Sequence, residues 1–355
     1  MPRIVIAAGG TAGHVVPALA VADALRARGA EVEFAGGERA EAELVPAAGY
    51  PFHALSVSGI DRHNPLRAAR AVLRALRATG RARRLLRGLG ADAVLGGGGY
   101  VAGPVGLAGA SLRLPLVLTE SDSHLGVTNR LLAPLARRVC LAFPLEGREG
   151  SKYLLTGRPV PAGTGRADRD AARARFGIAG AEPCVLIFGG SLGARRLNLA
   201  ALDAFGTAAP GAILHASGQR DHDELRARLD GLGAPAHYHL YPYIKPFAEA
   251  LAAADLVVAR AGGSVLEVAA AGLPALLVPY PHATADHQTR NARFMERAGA
   301  AVVVPDTELD GPRLAREVAA LLGAPQRMAA MARAAREAAR PDAAERIADE
   351  VLRLV

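Results

Sequence analysis

The chain has 355 residues, of which 51% are hydrophobic, with a formal net charge of +8. That length is long for one core and comfortable for two domains, and no apolar run reaches the ~18 residues of a membrane-spanning helix. The two cysteines, Cys140 and Cys184, lie in apolar strand-like runs, which favours buried thiols in a reducing compartment over a disulfide or a metal pair.

The N-terminus, MPRIVIAAGG, places a short apolar stretch before two glycines. It predicts a first β-strand, too short for a secretory signal core, and with it a cytoplasmic protein. Further strands are predicted at 31–35, 52–56, 92–95, 115–119 and 138–142, after the first at 3–8. The second half repeats the pattern at 184–188, 212–216, 236–240, 255–259, 275–279 and 300–304. Runs such as ALLVP and VVVP are continuously apolar, as suits parallel strands buried on both faces. Alanine-rich helical segments lie between most of them. The expected fold is therefore α/β, with two Rossmann-like parallel-sheet domains. The stretch TGRPVPAGTGRADRD reads as a linker. The predicted division is 1–157, 158–335, and a C-terminal helix over 336–355 that could pack back on the first domain.

One phrase is written twice. IVIAAGGTAGHVVPALAVADAL recurs as VLIFGGSLGARRLNLAALDAF, so that Gly9, Gly10, Thr11 and Gly13 return as Gly189, Gly190, Ser191 and Gly193. A strand that ends in glycines just before a helix lets a ligand approach the backbone. It also turns free N–H groups and the positive end of the helix dipole toward an anion. The alternative is a tight β–α connection with no ligand. Neither copy carries the Gly-Lys-Ser/Thr of a P-loop or the G-x-G-x-x-G dinucleotide spacing. Two further glycine turns, VLGGGGYVAGPVGLAG and ARAGGSVLEVAAAGLP, follow later strands. Ligands of open α/β sheets bind beyond the carboxyl ends of the strands. Glycine turns in both halves thus predict a cleft with a ligand on each wall. His14 stands where the second copy has Ala194. At a helix N-terminus its pKa should be depressed, which makes a neutral imidazole available as a general base; a helix-capping histidine is the bland alternative.

Only Lys152 and Lys245 are lysines, so the positive charge is carried by arginine. Arg67, Arg70, Arg74, Arg77, Arg81 and Arg84 recur every three or four residues, one stripe of a helix spanning 62–88, with Leu66, Val72, Leu73 and Leu76 largely opposite. The stripe is either a solvated face or a surface for an anionic membrane leaflet, each arginine adding about 1 kcal/mol there. No aromatic or nucleic-acid-binding motif accompanies it, so no nucleic-acid partner is expected.

GGTAGHVVPALA, GGGGYVAGP, GGSLGARRLN and AAAGLPALLVPYPHATADHQTRNA together resemble the MurG family, in order and from residue 4 to about 305. These are the bacterial UDP-N-acetylglucosamine–N-acetylmuramyl-(pentapeptide) pyrophosphoryl-undecaprenol N-acetylglucosamine transferases. The resemblance implies a GT-B fold, with the acceptor on the N-terminal domain and the UDP-sugar mainly on the C-terminal one. It implies an inverting transfer of GlcNAc to the 4-hydroxyl of the lipid I muramyl sugar, giving lipid II for peptidoglycan synthesis. It also implies a protein peripheral on the inner face of the cell membrane. No cofactor and no metal are expected, and no Asp-x-Asp motif is written for a divalent ion on the diphosphate. His14 takes the place of the family's essential histidine, with Glu120 matching a family glutamate assigned here to catalysis. Thr11, Ala12 and Gly13 lie where the first turn meets donor and acceptor, and Tyr100 falls in the acceptor-side loop. On the donor side the resemblance implies that Gly190, Ser191 and Gly193 meet the diphosphate and that Ile244 meets uracil through its backbone. Gly263 and Ser264 would line the same site, Glu267 would take the ribose hydroxyls, and His287 and Gln288 the GlcNAc hydroxyls.

The chain departs from the family pattern in places. Ala12 stands for a glycine. Glu-Gln-Asn reads Glu120-Ser121-Asp122, which hands the sugar contact to Asp122. Asn-Pro-x-Arg reads Arg158-Pro159-Val160-Pro161, and Arg158 is the candidate to replace the missing phosphate-facing arginine. RAGGSVLE is one residue shorter than usual. The alternatives are a GT-B transferase acting on another lipid or small-molecule acceptor, a UDP-GlcNAc epimerase, and an adaptor built on a degenerate fold.

Overall fold

The computed structural model describes residues 1–57, 65–190 and 194–355, of which 65–75 and Thr284 are described by their backbone alone. The chain forms two compact units, Met1–Pro161 with Pro341–Val355, and Ala162–Arg340.

The first unit runs β1 (Arg3–Ala7), α1 (Ala12–Ala27), β2 (Glu31–Gly36), α2 (Ala40–Ala47), β3 (Phe52–Ala54) and α3 (Pro65–Leu89). It continues with β4 (Ala93–Gly96), α4 (Ala102–Ser111), β5 (Leu116–Glu120), α5 (Val127–Leu132), β6 (Arg138–Leu141) and β7 (Tyr153–Leu155). The strands lie in the order β3-β2-β1-β4-β5-β6-β7, every pair parallel. Ile4, Val5, Ile6 and Ala7 are all buried, because helices cover both faces of a sheet whose central strands have no polar side.

The second unit runs α6 (Arg169–Phe176), β8 (Cys184–Phe188), α7 (Arg195–Phe205), β9 (Ala212–Ala216), α8 (His222–Gly231), β10 (Tyr238–Tyr241) and α9 (Phe247–Ala253). Then come β11 (Leu256–Ala259), α10 (Val265–Ala270), β12 (Ala275–Leu277), α11 (His287–Arg297), β13 (Ala301–Val303), α12 (Gly311–Leu322) and α13 (Pro325–Ala338). Its sheet, β10-β9-β8-β11-β12-β13, is also parallel throughout and repeats the order of the first. The last helix, α14 (Ala343–Leu352), belongs to the first unit, where Ile347 and Val351 join the core that contains Leu25 of α1.

Every predicted strand is present, so the two parallel sheets of the α/β reading stand. Three details differ. β7 was not expected: three residues after a polar loop carry too little pattern to announce a strand, and it forms by pairing with β6. The helix predicted over 336–355 is broken, because Pro341 disfavours helical geometry at the residue before it and lacks the N–H to continue the ladder. The third is Leu76, expected opposite the arginines. It is 64% exposed, and the described part of α3 buries Ala78, Ala82 and Leu86 instead. Arg77, Arg81 and Arg84 are exposed as expected; the side chains of Arg67, Arg70 and Arg74 lie outside the described residues. Among the described residues no helix is long and apolar enough to cross a membrane. Cys140 and Cys184 are buried and unbridged, and burial pushes each thiol up to about 12.

Candidate active site

In each sheet the strand order reverses between two neighbours, β1 and β4 in the first and β8 and β11 in the second. Connections leave these strands in opposite directions, so a crevice opens at their carboxyl ends. The four glycine-rich turns singled out from the sequence follow these four strands. The matched glycines Gly10 and Gly190 have φ of +109° and +92°, a region closed to most side chains. That geometric demand explains why the phrase is written twice. Ser191 and Gly193, the rest of the second turn, lie outside the described residues.

In the first unit Thr11 is the N-cap of α1 and makes no side-chain capping bond, and Ala12 and Gly13 open the helix. No acidic residue occupies its first turn. His14 is partly buried, with Thr11 Oγ1 3.4 Å from its Nδ1. The β4–α4 turn closes over the ring, for a Cβ on Gly98 would stand 2.6 Å from His14 Cδ2. Burial is the leading cause that lowers the His14 pKa below the ordinary value near 6.5, and the Arg158 charge lowers it further. Asp122 and Glu41 act in the opposite direction. The direction matches the sequence argument, and desolvation leads the causes.

Arg158 and Asp122 were assigned to the donor, and the structure places both near His14. Arg158 is buried and donates from Nη2 to the carbonyl of Gly13 at 3.0 Å. Asp122 lies in the loop after β5, and its own N–H donates to Glu120 Oε1 at 3.2 Å. Glu120 is buried and accepts two more bonds, from the N–H of Gly126 in the same loop at 2.8 Å and from Asn129 Nδ2 of α5 at 2.9 Å. Burial raises its pKa, and these donors oppose the rise. Its carboxylate thus shapes the loop that carries Asp122. Tyr100 donates its hydroxyl to Glu41 Oε1 at 3.3 Å, and the Arg39 guanidinium lies 5.4 Å from its ring centroid.

In the second unit Ser264 is the N-cap of α10, following Gly263, and Glu267 sits in the first turn of that helix. The phenol of Tyr243 is raised by burial and then by the Glu267 charge, which puts these two side chains in one neighbourhood. Ile244 is buried next to Tyr243 in sequence. His287 and Gln288 open α11, after Ala285 and Asp286 at φ 53° and 52°. Gln288 Oε1 accepts the N–H of Tyr280 at 2.9 Å, and the amide nitrogen carries two donors. Among the described residues no three His, Cys, Asp or Glu side chains gather as a metal site.

Sequence reasoning missed Glu41, Arg39 and Asn129. Glu41 lies just past Gly36, the end of β2, and Gly37, and a glutamate early in a helix is too common to single out without its distant partners.

The model of the glycosyltransferase family 28 N-terminal domain matches residues 4–141, and that of its C-terminal domain matches residues 184–347. A UDP-N-acetylglucosamine–N-acetylmuramyl-(pentapeptide) pyrophosphoryl-undecaprenol N-acetylglucosamine transferase of Moorella thermoacetica is 42% identical, with 99% of each chain covered. The transferase of the same name from Methylococcus capsulatus is 45% identical over 98% of this chain and 97% of its own. Among solved structures, Acinetobacter baumannii MurG superposes with a TM-score of 0.79 at 33% identity, covering 99% of this chain and 100% of that one. Matches to both halves of the fold, and identity above 40% along the whole length, show that the chain belongs to glycosyltransferase family 28 and, within it, to the MurG family of UDP-N-acetylglucosamine–N-acetylmuramyl-(pentapeptide) pyrophosphoryl-undecaprenol N-acetylglucosamine transferases.

Proposed function

We propose that the protein transfers GlcNAc from UDP-GlcNAc to the muramyl 4-hydroxyl of lipid I with inversion, forming lipid II, and that His14 is the base. The observation that carries the base assignment is the His14 imidazole at the switch point of the first sheet, kept neutral by burial and by Arg158. The acceptor hydroxyl attacks the anomeric carbon from the face opposite UDP, and neutral His14 takes its proton as the bond forms. Asp122 and Glu41 then favour the imidazolium that results. The transition state resembles an oxocarbenium ion, while charge grows on the departing diphosphate. The turn between β8 and α7, to which Gly190, Ser191 and Gly193 belong in the sequence, takes up that charge.

Thr11, Ala12 and Gly13 border both substrates, and Tyr100 stands on the acceptor side. In the second unit Gly263 and Ser264 line the donor, Glu267 accepts the ribose hydroxyls, and Ile244 meets uracil through its backbone. The N–H donors of Gln288 reach the GlcNAc hydroxyls, with His287 beside them. Arg158 acts through Gly13 and the His14 charge, and Glu120 acts through the Asp122 loop.

The acceptor carries an undecaprenyl chain, so the protein works against the inner face of the cell membrane. Exposed Arg77, Arg81 and Arg84 on α3 supply the attraction to anionic lipid. Leu76, Leu107 and Leu131, which are 64%, 45% and 70% exposed on the packed series α3, α4 and α5, supply apolar area. Vesicles with anionic lipid should capture the protein at low salt; equal capture by neutral vesicles counts against the arginine reading.

The decisive assay follows labelled GlcNAc from UDP-GlcNAc to a short-chain lipid I analogue, with EDTA present, for wild type and His14→Ala. Disaccharide product from wild type, with turnover in the variant down by about 10²–10⁴-fold and donor affinity kept, is the expected result. Tight donor binding without product in wild type would discard lipid I as the acceptor.

A further inference from the structure

We propose that Glu41 is a positioning residue for the transfer, its carboxylate clamping the first glycine turn and Tyr100 in the arrangement that presents His14 to the acceptor. The inference rests on the reading of His14 as the base. Glu41 lies in the first turn of α2 and is fully buried. A carboxylate taken out of water is costly unless its oxygens are bonded. Here Oε2 accepts the N–H of Gly10 at 2.9 Å, and Oε1 accepts the N–H of Gly37 at 2.9 Å and the Tyr100 hydroxyl at 3.3 Å. The three donors come from three different connections, β1–α1, β2–α2 and β4–α4. One side chain therefore sets the spacing of all of them.

The surrounding backbone is cleared for it. A Cβ on Gly9 would stand 2.7 Å from Glu41 Oε1, one on Gly36 2.8 Å from Cγ, and one on Gly37 2.9 Å from Oε1. Three glycines around one carboxylate mean that the turn and Glu41 form one built unit. The clamp reaches both candidate acceptor-side groups. Gly10 directly precedes Thr11 and the helix that carries His14, and the Tyr100 ring comes within 3.7 Å of where a Cβ on Gly10 would stand. Held in this way, Tyr100 also stands under the Arg39 guanidinium.

A carboxylate that merely braced loops would leave the chemistry of His14 unchanged. Glu41 does more, because its charge is felt at the imidazole. The charged groups that face His14 are Asp122, Arg158 and Glu41; the two carboxylates favour the imidazolium and Arg158 disfavours it. Glu41 thus orients the base and makes it a stronger one.

The test compares Glu41→Gln and Glu41→Asp with wild type by steady-state transfer over pH, by NMR titration of the His14 imidazole, and by thermal melting as a check of folding. Glu41→Gln keeps the size and removes the charge. Its His14 midpoint, and the acid limb of kcat/KM with it, should move to lower pH. Its kcat should fall about 10–100-fold from misplacement, with donor KM within about twofold. Glu41→Asp keeps the charge and shortens the reach, so kcat should fall comparably while the midpoint stays. An unmoved midpoint in Glu41→Gln, or a kcat within about twofold of wild type in both variants, overturns the proposal. If Glu41→Gln does not fold, the kcat of Glu41→Asp decides by the same limit. Full turnover in His14→Ala would instead remove the base reading, whereas the NMR midpoint would still report the field of Glu41.

Discussion

Adding one methyl group at Gly98 tests whether the position of His14 limits turnover. Gly98 has φ +90°, and its Cβ would stand 2.6 Å from His14 Cδ2. Carbon atoms in contact settle near ~3.5 Å, so in Gly98→Ala the imidazole must withdraw by about 1 Å. Misplacement on that scale costs about 10²-fold in rate. The methyl group also sits on backbone in the left-handed region, which costs about 1–2 kcal/mol. For a unit of this size that lowers Tm by about 2–8 °C. The two effects are separated by Gly49→Ala. Gly49 has φ +75° with nothing within 4 Å of its Cβ position, so it suffers the backbone strain without touching the site. Transfer kinetics and melting should show similar losses of Tm in both variants, with kcat down about 10²-fold in Gly98→Ala alone. A kcat for Gly98→Ala within about threefold of that for Gly49→Ala would refute the argument that ring placement controls the rate.

Three further outcomes follow from ionisation. As the proposed base, His14 must be neutral to act, and its pKa lies below the ordinary value near 6.5, so the midpoint of the acid limb of kcat/KM should lie below pH 6.5. Arg158→Met removes the cation that lowers it and should move this acid limb to higher pH; a limb that stays in place means Arg158 does not tune the base. In the second unit His215 is buried between the Tyr238 hydroxyl, 2.8 Å from Nδ1, and Asn198 Oδ1, 3.0 Å from Nε2, and burial pushes its pKa down to about 3. The unfolded chain takes up this proton near pH ~6.5, where the folded one refuses it. The stability present above that pH is therefore lost on acidification, by up to about 1.4 kcal/mol per pH unit until pH nears the folded value. Denaturant melts between pH 7 and 4 should show this slope, and a slope unchanged in His215→Gln would exclude His215 as its source.

The sheets could be read from the sequence because the relevant information is local. A continuously apolar run such as CVLIF can be satisfied only by a strand covered on both faces, and all five of its residues are buried. Glycine at positions 10 and 190 is demanded by the φ of single residues, so the repeated phrase already located both turns. His14 stood out for the same reason, as the one titratable side chain in the first of these turns. β7 escaped notice because its formation depends on the neighbour it pairs with. The exposure of Leu76 depends on which face of α3 the rest of the unit covers, and helical spacing alone does not say.

The surroundings of His14 could be settled only by the tertiary structure. Glu41 is 31 residues from Gly10 and 59 from Tyr100, and Arg158 is 145 residues from the carbonyl it binds. No periodicity or turn preference acts over such distances; the strand order alone brings these groups to one end of the sheet. The amino-acid sequence by itself determined most of the elements, the turns and the candidate base, because backbone preference and burial act within a few residues. The charges around that base, with Glu41 and Asp122 favouring its protonated form against burial and Arg158, were decided by the fold, because electrostatic interactions depend on distance in space and not along the chain.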